Sequence, residues 1–197
     1  MTNWVTPVTL TGQYVRLEPM AEVHIPALAE IGAGQAFWDF MVYGRMETQE
    51  DMGGWVREIL GRAEKGTDLP FVAVHLASGR VAGATRYLNI MPNDKGLEVG
   101  GTWYGTEFQR TAVNTECKYL LLTHAFESLG CIRVQLKTDL RNERSQKAIE
   151  RIGAVKEGVL RNHMILPDGR IRHSVFYSIL DTEWNVVKKK LEEMLGR

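Results

Sequence analysis

With 197 residues and 44% hydrophobic content, the chain is long enough to bury about 70% of its unfolded surface in one core. Lysine and arginine together number 24, as do aspartate and glutamate, so no net charge is available to attract nucleic acid. We therefore expect a single domain over residues 1–197 and no nucleic-acid partner.

The two cysteines, Cys117 and Cys131, show neither CxxC spacing nor a cluster with histidines. We expect both to be packed thiols in a reducing cytosol rather than a disulfide or metal ligands. The N-terminal residues lack the basic and apolar segments of a signal peptide, and no apolar run approaches the ~20 residues that span a bilayer. These features predict a soluble, cytoplasmic protein with no metal and no membrane partner.

The secondary-structure pattern alternates between period-2 and helical segments separated by turn-forming residues. The predicted elements, in chain order, are a strand at 14–17, helices at 23–31 and 48–65, strands at 69–76, 81–90 and 99–104, a helix at 115–129, a strand at 132–138, a helix from 142, strands at 155–166 and 171–180, and a helix from 182. Thr48 is the expected N-cap of the second helix. No repeat or low-complexity segment interrupts this order.

The stretch from Glu98 to Gly130 is the centre of this organisation. Gly100 and Gly101 predict an irregularity in the strand at 99–104. The first turn of the following helix has unpaired amides and about half a positive charge, and Arg110 adds a full charge. Residues 109–115 are therefore a candidate anion site. Spacing alone is equally consistent with an ordinary strand–helix connection.

Residues 98–116 resemble the acetyl-CoA-binding motif of the GCN5-related N-acetyltransferases (GNAT), with the pattern Gln/Arg-x-x-Gly-x-Gly/Ala at the head of the central helix. Gln109 meets this pattern, whereas Ala112 and Asn114 stand at its two glycine positions. Asn142 and Ser145 resemble a second cofactor motif, Asn-x-x-Ser.

Two further segments resemble the branch of this family that includes the RimJ and RimL ribosomal-protein N-terminal acetyltransferases. They are Arg16–Pro19 near the start and the late hairpin that begins EGVLRNHMILPDG. The resemblance covers residues 9–184. It implies an α/β fold with a mixed sheet, a bulged central strand that splays from its neighbour, and a C-terminal hairpin.

The resemblance also implies acetyl-CoA as co-substrate and places it on backbone groups of the central strand and helix. Its pantetheine arm would pair near the bulge, and its pyrophosphate would lie on the first turn of the helix. The residues implied in cofactor binding are Thr102, Trp103, Tyr104, Gln109, Arg110, Thr111, Ala112, Val113, Asn114, Thr115 and Asn142. The β-carbons at Ala112 and Asn114 narrow the approach to those amides.

Acetyl transfer requires a neutral amine to attack the thioester, a base to take its proton and an acid for the leaving thiolate. In many relatives a Tyr acts as the acid for the leaving thiolate, but Ile149 stands at that position here. The resemblance to RimL-like members implies that Ser145 takes this role instead. Met164 stands where RimL-like members often carry a Glu base. Glu98 is our first substitute, although it equally fits a charge at the rim of the site.

Other routes for the amine proton are His163, His75 or an ordered water. For the acceptor, the aromatic segment at 37–43 would supply a wall of the pocket in this family. Phe37, Trp38 and Tyr43 are the candidate wall residues, and core packing under a loop is the alternative.

These observations predict an acetyl-CoA-dependent N-acetyltransferase that acts on a primary amine, either a protein N-terminus or a small molecule. The alternatives are a degenerate acyl-CoA-binding module, and an acyltransferase that uses another short acyl-CoA. A homodimer is expected by family analogy alone.

Overall fold

The computed structural model describes residues 4–197, which form a mixed α/β fold. The strands are β1 (Leu10–Thr11), β2 (Val15–Pro19), β3 (Leu69–His75), β4 (Arg80–Met91), β5 (Gly96–Tyr104), β6 (Arg133–Asp139), β7 (Val155–Ile165) and β8 (Ile171–Leu180). The helices are α1 (Ile25–Gly32), α2 (Gln49–Glu64), α3 (Ala112–Thr123), α4 (Glu143–Arg151) and α5 (Asp181–Leu195). The expected fold class, including the C-terminal hairpin β7–β8, is confirmed.

All eight strands belong to one sheet in the order β1-β2-β3-β4-β5-β6-β8-β7. Neighbouring strands are antiparallel except β5 and β6, which run parallel. These two pair only where Gly96, Leu97 and Glu98 face Arg133, Val134 and Gln135. Beyond that short ladder the strands separate, and the sheet opens between them.

A bulge interrupts β5 just after the point of separation. Ala84 of β4 faces Trp103, and Arg86 faces Gly100, so Gly101 and Thr102 together oppose a single residue of β4. Gly101 adopts φ +56°, a left-handed conformation that a side chain disfavours. The expected irregularity at the paired glycines is thus present, with its centre one residue further along the strand.

Hydrophobic side chains form two cores, one on each face of the sheet. The larger core includes Val113, Cys117 and Leu121 of α3 together with Val187 and Leu191 of α5. The smaller core lies under α1 and α2 and includes Met52, Val56 and Ile59 of α2 together with Trp103 of β5. Both cysteines are buried, free thiols.

Two helix boundaries differ from the sequence prediction. Helix α3 begins at Ala112, three residues earlier than predicted, because Thr111 acts as its N-cap and the buried Val113 lies in its first turn. Val23, predicted on the apolar side of the first helix, is 80% exposed in a 3₁₀ turn that precedes α1. Pro26 at the second position of α1 fixes the helix start after that turn.

The C-terminal end of the central helix contains a π turn over His124–Ser128 before Gly130, which adopts φ +66°. In the regular part of α3 before that turn, Leu122 is buried while Leu120 is only partly buried, which differs from the predicted apolar face. Within residues 4–197, none of the helices combines the length and apolarity of a membrane crossing.

Candidate active site

The opening between β5 and β6 is the centre of the candidate site. Its closed end is the pair Glu98–Gln135, and from Val99 onward the β6-facing edge of β5 has no strand partner. Backbone groups of Val99–Trp103 that face this edge thereby lack a strand partner and can bind an extended ligand. Such an edge fits an arm that carries amide groups.

Helix α3 begins where β5 leaves the opening. The hydroxyl of Thr111 accepts a hydrogen bond from the Val113 amide at 3.3 Å, which caps the helix. Arg110 is exposed and adopts φ +61°, so the chain turns sharply into the helix at this residue. The half-buried Ala112 and Asn114 share the first turn, where helix amides are available to an anion.

Gln109 braces this turn from both sides. Its Nε2 donates to the Tyr104 carbonyl at 2.8 Å, and its Oε1 accepts from Arg144 Nη1 at 2.9 Å. The Gln109 side chain, just before α3, therefore links β5 to α4 through these two hydrogen bonds. Thr115 is buried, and its hydroxyl accepts from Arg151 Nη2 at 3.0 Å. Any role of Thr115 in anion binding would fall to its main chain.

A buried lysine contacts the bulge from the α3 side. Lys118 Nζ donates to Thr102 Oγ1 at 2.8 Å, and that oxygen also lies 2.8 Å from Thr85 Oγ1. Burial lowers the pKa of Lys118 to about 8. The bulged residue is thus held by one hydrogen bond from a helix and another from the neighbouring strand.

Glu98 lies at the closed end of the opening and is only 2% exposed. Its Oε2 accepts from Asn89 Nδ2 and from Gln135 Nε2, each at 2.9 Å. Lys137 Nζ lies 3.3 Å from Oε1, so an ion pair crosses the opening. This burial rules out the alternative of a charge at the rim.

A second group of polar side chains continues from Lys137 across β8 and β7. The His163 ring nitrogen Nδ1 lies 3.0 Å from Ser174 Oγ, which also accepts from Arg172 Nε at 3.0 Å. Burial, assisted by the charges of Lys137 and Arg172, lowers the pKa of His163. Its imidazole is therefore mainly neutral at pH 7.

Ser145 lies at the other end of the opening, in the first turn of α4. The Asn142 side chain accepts from the Ser145 amide at 3.0 Å and caps this helix. From Gln135, the partner of Glu98, four residues of β6 lead to Asp139, a distance of about 13 Å. Ser145 and Glu98 thus flank opposite ends of the opening and are not brought into contact.

The aromatic segment between α1 and α2 divides between core and surface. Trp38 is 1% exposed and donates from Nε1 to the Gly32 carbonyl, so the structure makes it a core residue. Phe37 is half-buried and stacks on Trp103 at 5.6 Å, and the half-buried Tyr43 packs against Trp55. The prediction of a pocket wall now depends on Phe37 and Tyr43.

Two arginines at the start of β8 fix that segment over the sheet. Arg172 Nη1 donates to the Phe40 carbonyl at 3.1 Å, and Arg170 Nη2 donates to the Asp39 carbonyl. The segment therefore lies beside the same opening as Glu98 and Lys137.

Sequence reasoning missed four charged residues of this region. Lys118, Lys137, Arg86 and Arg172 are buried or largely buried, although none belongs to a recognisable motif. Lys118 stands among apolar residues of a predicted helix, and this is the one sequence signal for a buried charge. Within residues 4–197, no three His, Cys, Asp or Glu side chains are grouped to hold a metal ion.

Comparison with known proteins shows where this architecture recurs. A relative from Bacillus subtilis (strain 168), to which the name ribosomal N-acetyltransferase YdaF has been assigned, is 32% identical over 109 residues. That match covers 55% of this chain and 58% of the relative, little more than half of each. An acetyltransferase structure from T. thermophilus is 39% identical, covers 98% of this chain and 99% of its own, and has a TM-score of 0.89.

A structure of Mycobacterium smegmatis RimJ in complex with CoA-disulfide shares the fold at 19% identity and a TM-score of 0.80, covering 97% of this chain and 96% of its own. The family model described as "Acetyltransferase (GNAT) domain" matches residues 15–155. That range contains β5, the opening, α3 and α4, which carry the motifs from which the resemblance was first drawn. The chain therefore belongs to the GNAT acetyltransferase family.

Proposed function

We propose that this protein is an acetyl-CoA-dependent N-acetyltransferase that acetylates a primary amine, with a protein N-terminus as the preferred acceptor. The observation that carries the proposal is the opening between β5 and β6, which leads directly to the first turn of α3. An unpaired strand edge and an adjoining helix N-terminus together suit a ligand with an amide-containing arm and a pyrophosphate.

Acetyl-CoA, when bound, supplies the activated acetyl group. Main-chain groups of Thr102, Trp103 and Tyr104 would hold its pantetheine arm along the free edge of β5. Amides from Arg110 to Thr115 would bind the pyrophosphate, and Arg110 would add a counter-charge. Because these contacts come from main chain, the absence of both motif glycines leaves them available.

Glu98 is the proposed base. Its Oε2 accepts from two amide side chains and from Lys137 at 3.4 Å, whereas Oε1 contacts Lys137 alone among the described side-chain donors. Oε1 would therefore be the oxygen that takes the proton of the amine, through water. Neutral His163 is the second candidate. Ser145 would donate a hydrogen bond to the leaving thiolate. Because the amine nitrogen and the sulfur are then bonded to the same carbon, and Glu98 lies at the other end of the opening, Glu98 would receive the proton through a chain of waters.

The preference for a protein N-terminus is supported by the names of two relatives. One curated relative is named for ribosomal N-acetylation, and one structural neighbour is titled a ribosomal-protein-serine acetyltransferase from Vibrio cholerae. An acceptor on the ribosome would place the enzyme in the cytoplasm. A small-molecule amine is the alternative acceptor.

Calorimetric titration of acetyl-CoA tests the cofactor site. Arg110→Glu reverses the charge at the first turn of α3 and should abolish tight binding. Lys189→Glu makes the same charge reversal at an exposed position of α5 and should bind as the wild type does. Absence of binding to the wild type would refute the proposal.

Release of the CoA thiol in the presence of amines tests transfer. We expect turnover with acetyl-CoA and peptides that carry a free N-terminus. Tight binding without turnover on any amine would favour an acyl-CoA-binding module. Faster turnover with propionyl- or succinyl-CoA would identify a different acyl donor.

A further inference from the structure

Four side chains with hydrogen-bond donors form a buried group under the bulge, on the α1 and α2 face of the sheet. This donor cluster consists of Arg86, Tyr43, Trp55 and Trp103. The Arg86 guanidinium carbon lies 5.3 Å from the Tyr43 ring centre, the Tyr43 ring lies 5.8 Å from that of Trp55, and Trp55 lies 6.0 Å from Trp103. The four groups are thus successive neighbours.

Three donors of this cluster have no acceptor within residues 4–197. Arg86 Nη1, Trp55 Nε1 and Trp103 Nε1 are each buried and unpartnered, and their residues are only 3–4% exposed. Burial of an N–H group without an acceptor costs free energy, so such groups are rare in folded proteins. These three N–H groups can thus donate to acceptor atoms that the described residues do not supply.

The other tryptophans of the chain show that this is a local property. Trp4, Trp38 and Trp184 each donate from Nε1 to an oxygen, at 3.0, 2.6 and 2.8 Å. Only the two indoles of the donor cluster lack an acceptor in the described part of the chain. Among the indoles, the unmet donors are therefore confined to this cluster, although the buried hydroxyls of Tyr104 and Thr123 elsewhere in the described chain also lack a partner.

The one nearby carboxylate does not meet this demand. Asp68 Oδ2 lies 3.0 Å from Arg86 Nε and forms a buried ion pair on that side of the guanidinium. This pair cancels the charge of Arg86 and leaves Nη1 without a partner among the described residues. A neutral acceptor, such as a carbonyl oxygen, is consequently the complement of the three unpartnered N–H groups.

The cluster also touches the backbone at which transfer is proposed to occur. A β-carbon at Gly101 would lie 3.3 Å from the Tyr43 hydroxyl oxygen and 3.4 Å from Arg86 Cζ. Both groups thus lie against the bulge itself. In a peptide, the carbonyl carbon of the first residue is two bonds from the terminal amine. An amine that reacts at the bulge would therefore bring this carbonyl close to Tyr43 and Arg86.

We infer that the donor cluster binds the carbonyl oxygen next to the acceptor amine and so selects peptide N-termini over simple alkylamines and polyamines. This inference rests on the proposed N-acetyltransferase function. Half-buried Tyr43 and Phe37, which cover Trp55 and Trp103, would form the entrance. Burial raises the pKa of Tyr43, so its hydroxyl remains a donor at neutral pH.

The test is a titration of the ¹⁵N-labelled, CoA-bound protein followed through its indole N–H resonances, assigned with single Trp→Phe variants. Alaninamide carries a carbonyl beside its amine, and isopropylamine is its carbonyl-free counterpart. Alaninamide should shift the Trp55 and Trp103 resonances and leave those of Trp4, Trp38 and Trp184 in place. Isopropylamine should shift none of the five.

Arg86→Lys supplies the kinetic arm because it keeps a cation beside Asp68 and removes Nη1. The ratio of kcat/KM for alaninamide to that for isopropylamine, each corrected to the neutral amine, should fall about tenfold in this variant. Turnover of both amines without any shift at Trp55 or Trp103 would overturn the inference and leave the proposed function standing. Specific shifts without turnover would support the cluster and count against the proposed function.

Discussion

Lys118 Nζ donates to Thr102 Oγ1 at 2.8 Å, which joins the middle of helix α3 to the bulged residue of β5. The ammonium is buried, and its one hydrogen bond to a neutral hydroxyl compensates little of the lost hydration. The pKa of about 8 reflects that cost. A bulge that is held by a helix in this way keeps the free edge of the strand in a fixed position.

This burial predicts an unusual pH dependence of stability. Above about pH 8 the folded protein releases the Lys118 proton, whereas the unfolded chain keeps it up to its ordinary pKa of 10.5. The unfolded state therefore binds more protons in this window, and the free energy of unfolding rises with pH. A change from 10.5 to about 8 corresponds to about 3 kcal/mol.

Urea denaturation of the wild type and of Lys118→Met at about pH 7 and about pH 10 measures this contribution. The difference between the two proteins isolates Lys118 from tyrosines and cysteines that titrate in the same range. We expect the wild type to gain stability relative to the variant as the pH rises. An equal response of both proteins would contradict a buried, destabilised ammonium.

Gly101→Ala should destabilise the fold and weaken acetyl-CoA binding. The residue adopts φ +56°, and a β-carbon would crowd Tyr43 and Arg86 at 3.3–3.4 Å. Gly79→Ala is the matched control, because Gly79 has φ +67° but open surroundings. Both variants should lose about 1–2 kcal/mol from backbone strain. A further loss and weaker binding are expected of Gly101→Ala alone, as measured by denaturation and calorimetry.

Glu98→Gln should lower kcat by about 100-fold while leaving acetyl-CoA affinity within about twofold of the wild-type value. The amide fills the same space but takes up no proton and leaves Lys137 without its ion-pair partner. Glu157→Gln removes a carboxylate paired with Arg133 and serves as the control. Unchanged turnover in Glu98→Gln would transfer the role of base to His163 or to water.

Asn142→Ala should destabilise the protein by about 1 kcal/mol because the Ser145 amide loses its cap. Asn142→Ser keeps a capping oxygen and should recover most of that stability. Thermal denaturation compares the three proteins. A loss of acetyl-CoA affinity in Asn142→Ala that exceeds its loss in Asn142→Ser would show that the cap also positions the cofactor.

Periodicity in the sequence was sufficient to predict most of the architecture. Thr48 caps α2 as expected, with its hydroxyl accepting from the Asp51 amide, and Asn142 caps α4. The strands predicted at 69–76 and 171–180 agree with β3 and β8 to within one residue. These features are local, since a cap or an alternating strand is encoded by residues close in the chain.

Features that depend on distant partners escaped prediction. Strand β1 has only two residues and exists because Leu10 and Thr11 pair with β2, so it carries no periodic signal. The π turn at His124–Ser128 was not predicted, because no residue in that stretch marks the extra backbone residue. Glu98 could be singled out by its position, but its ion pair with Lys137 joins residues on two strands and could not be read from spacing.

Arg110 determines how the site tolerates the loss of both motif glycines. The positive φ of this connection falls on Arg110, whereas Ala112 and Asn114 do not adopt one. A β-carbon at 112 is therefore free of backbone strain and limits the conformations of the unfolded chain, an advantage of up to about 1 kcal/mol over glycine. The amides of this turn are thus preorganised, and a ligand that binds there has less backbone entropy to remove.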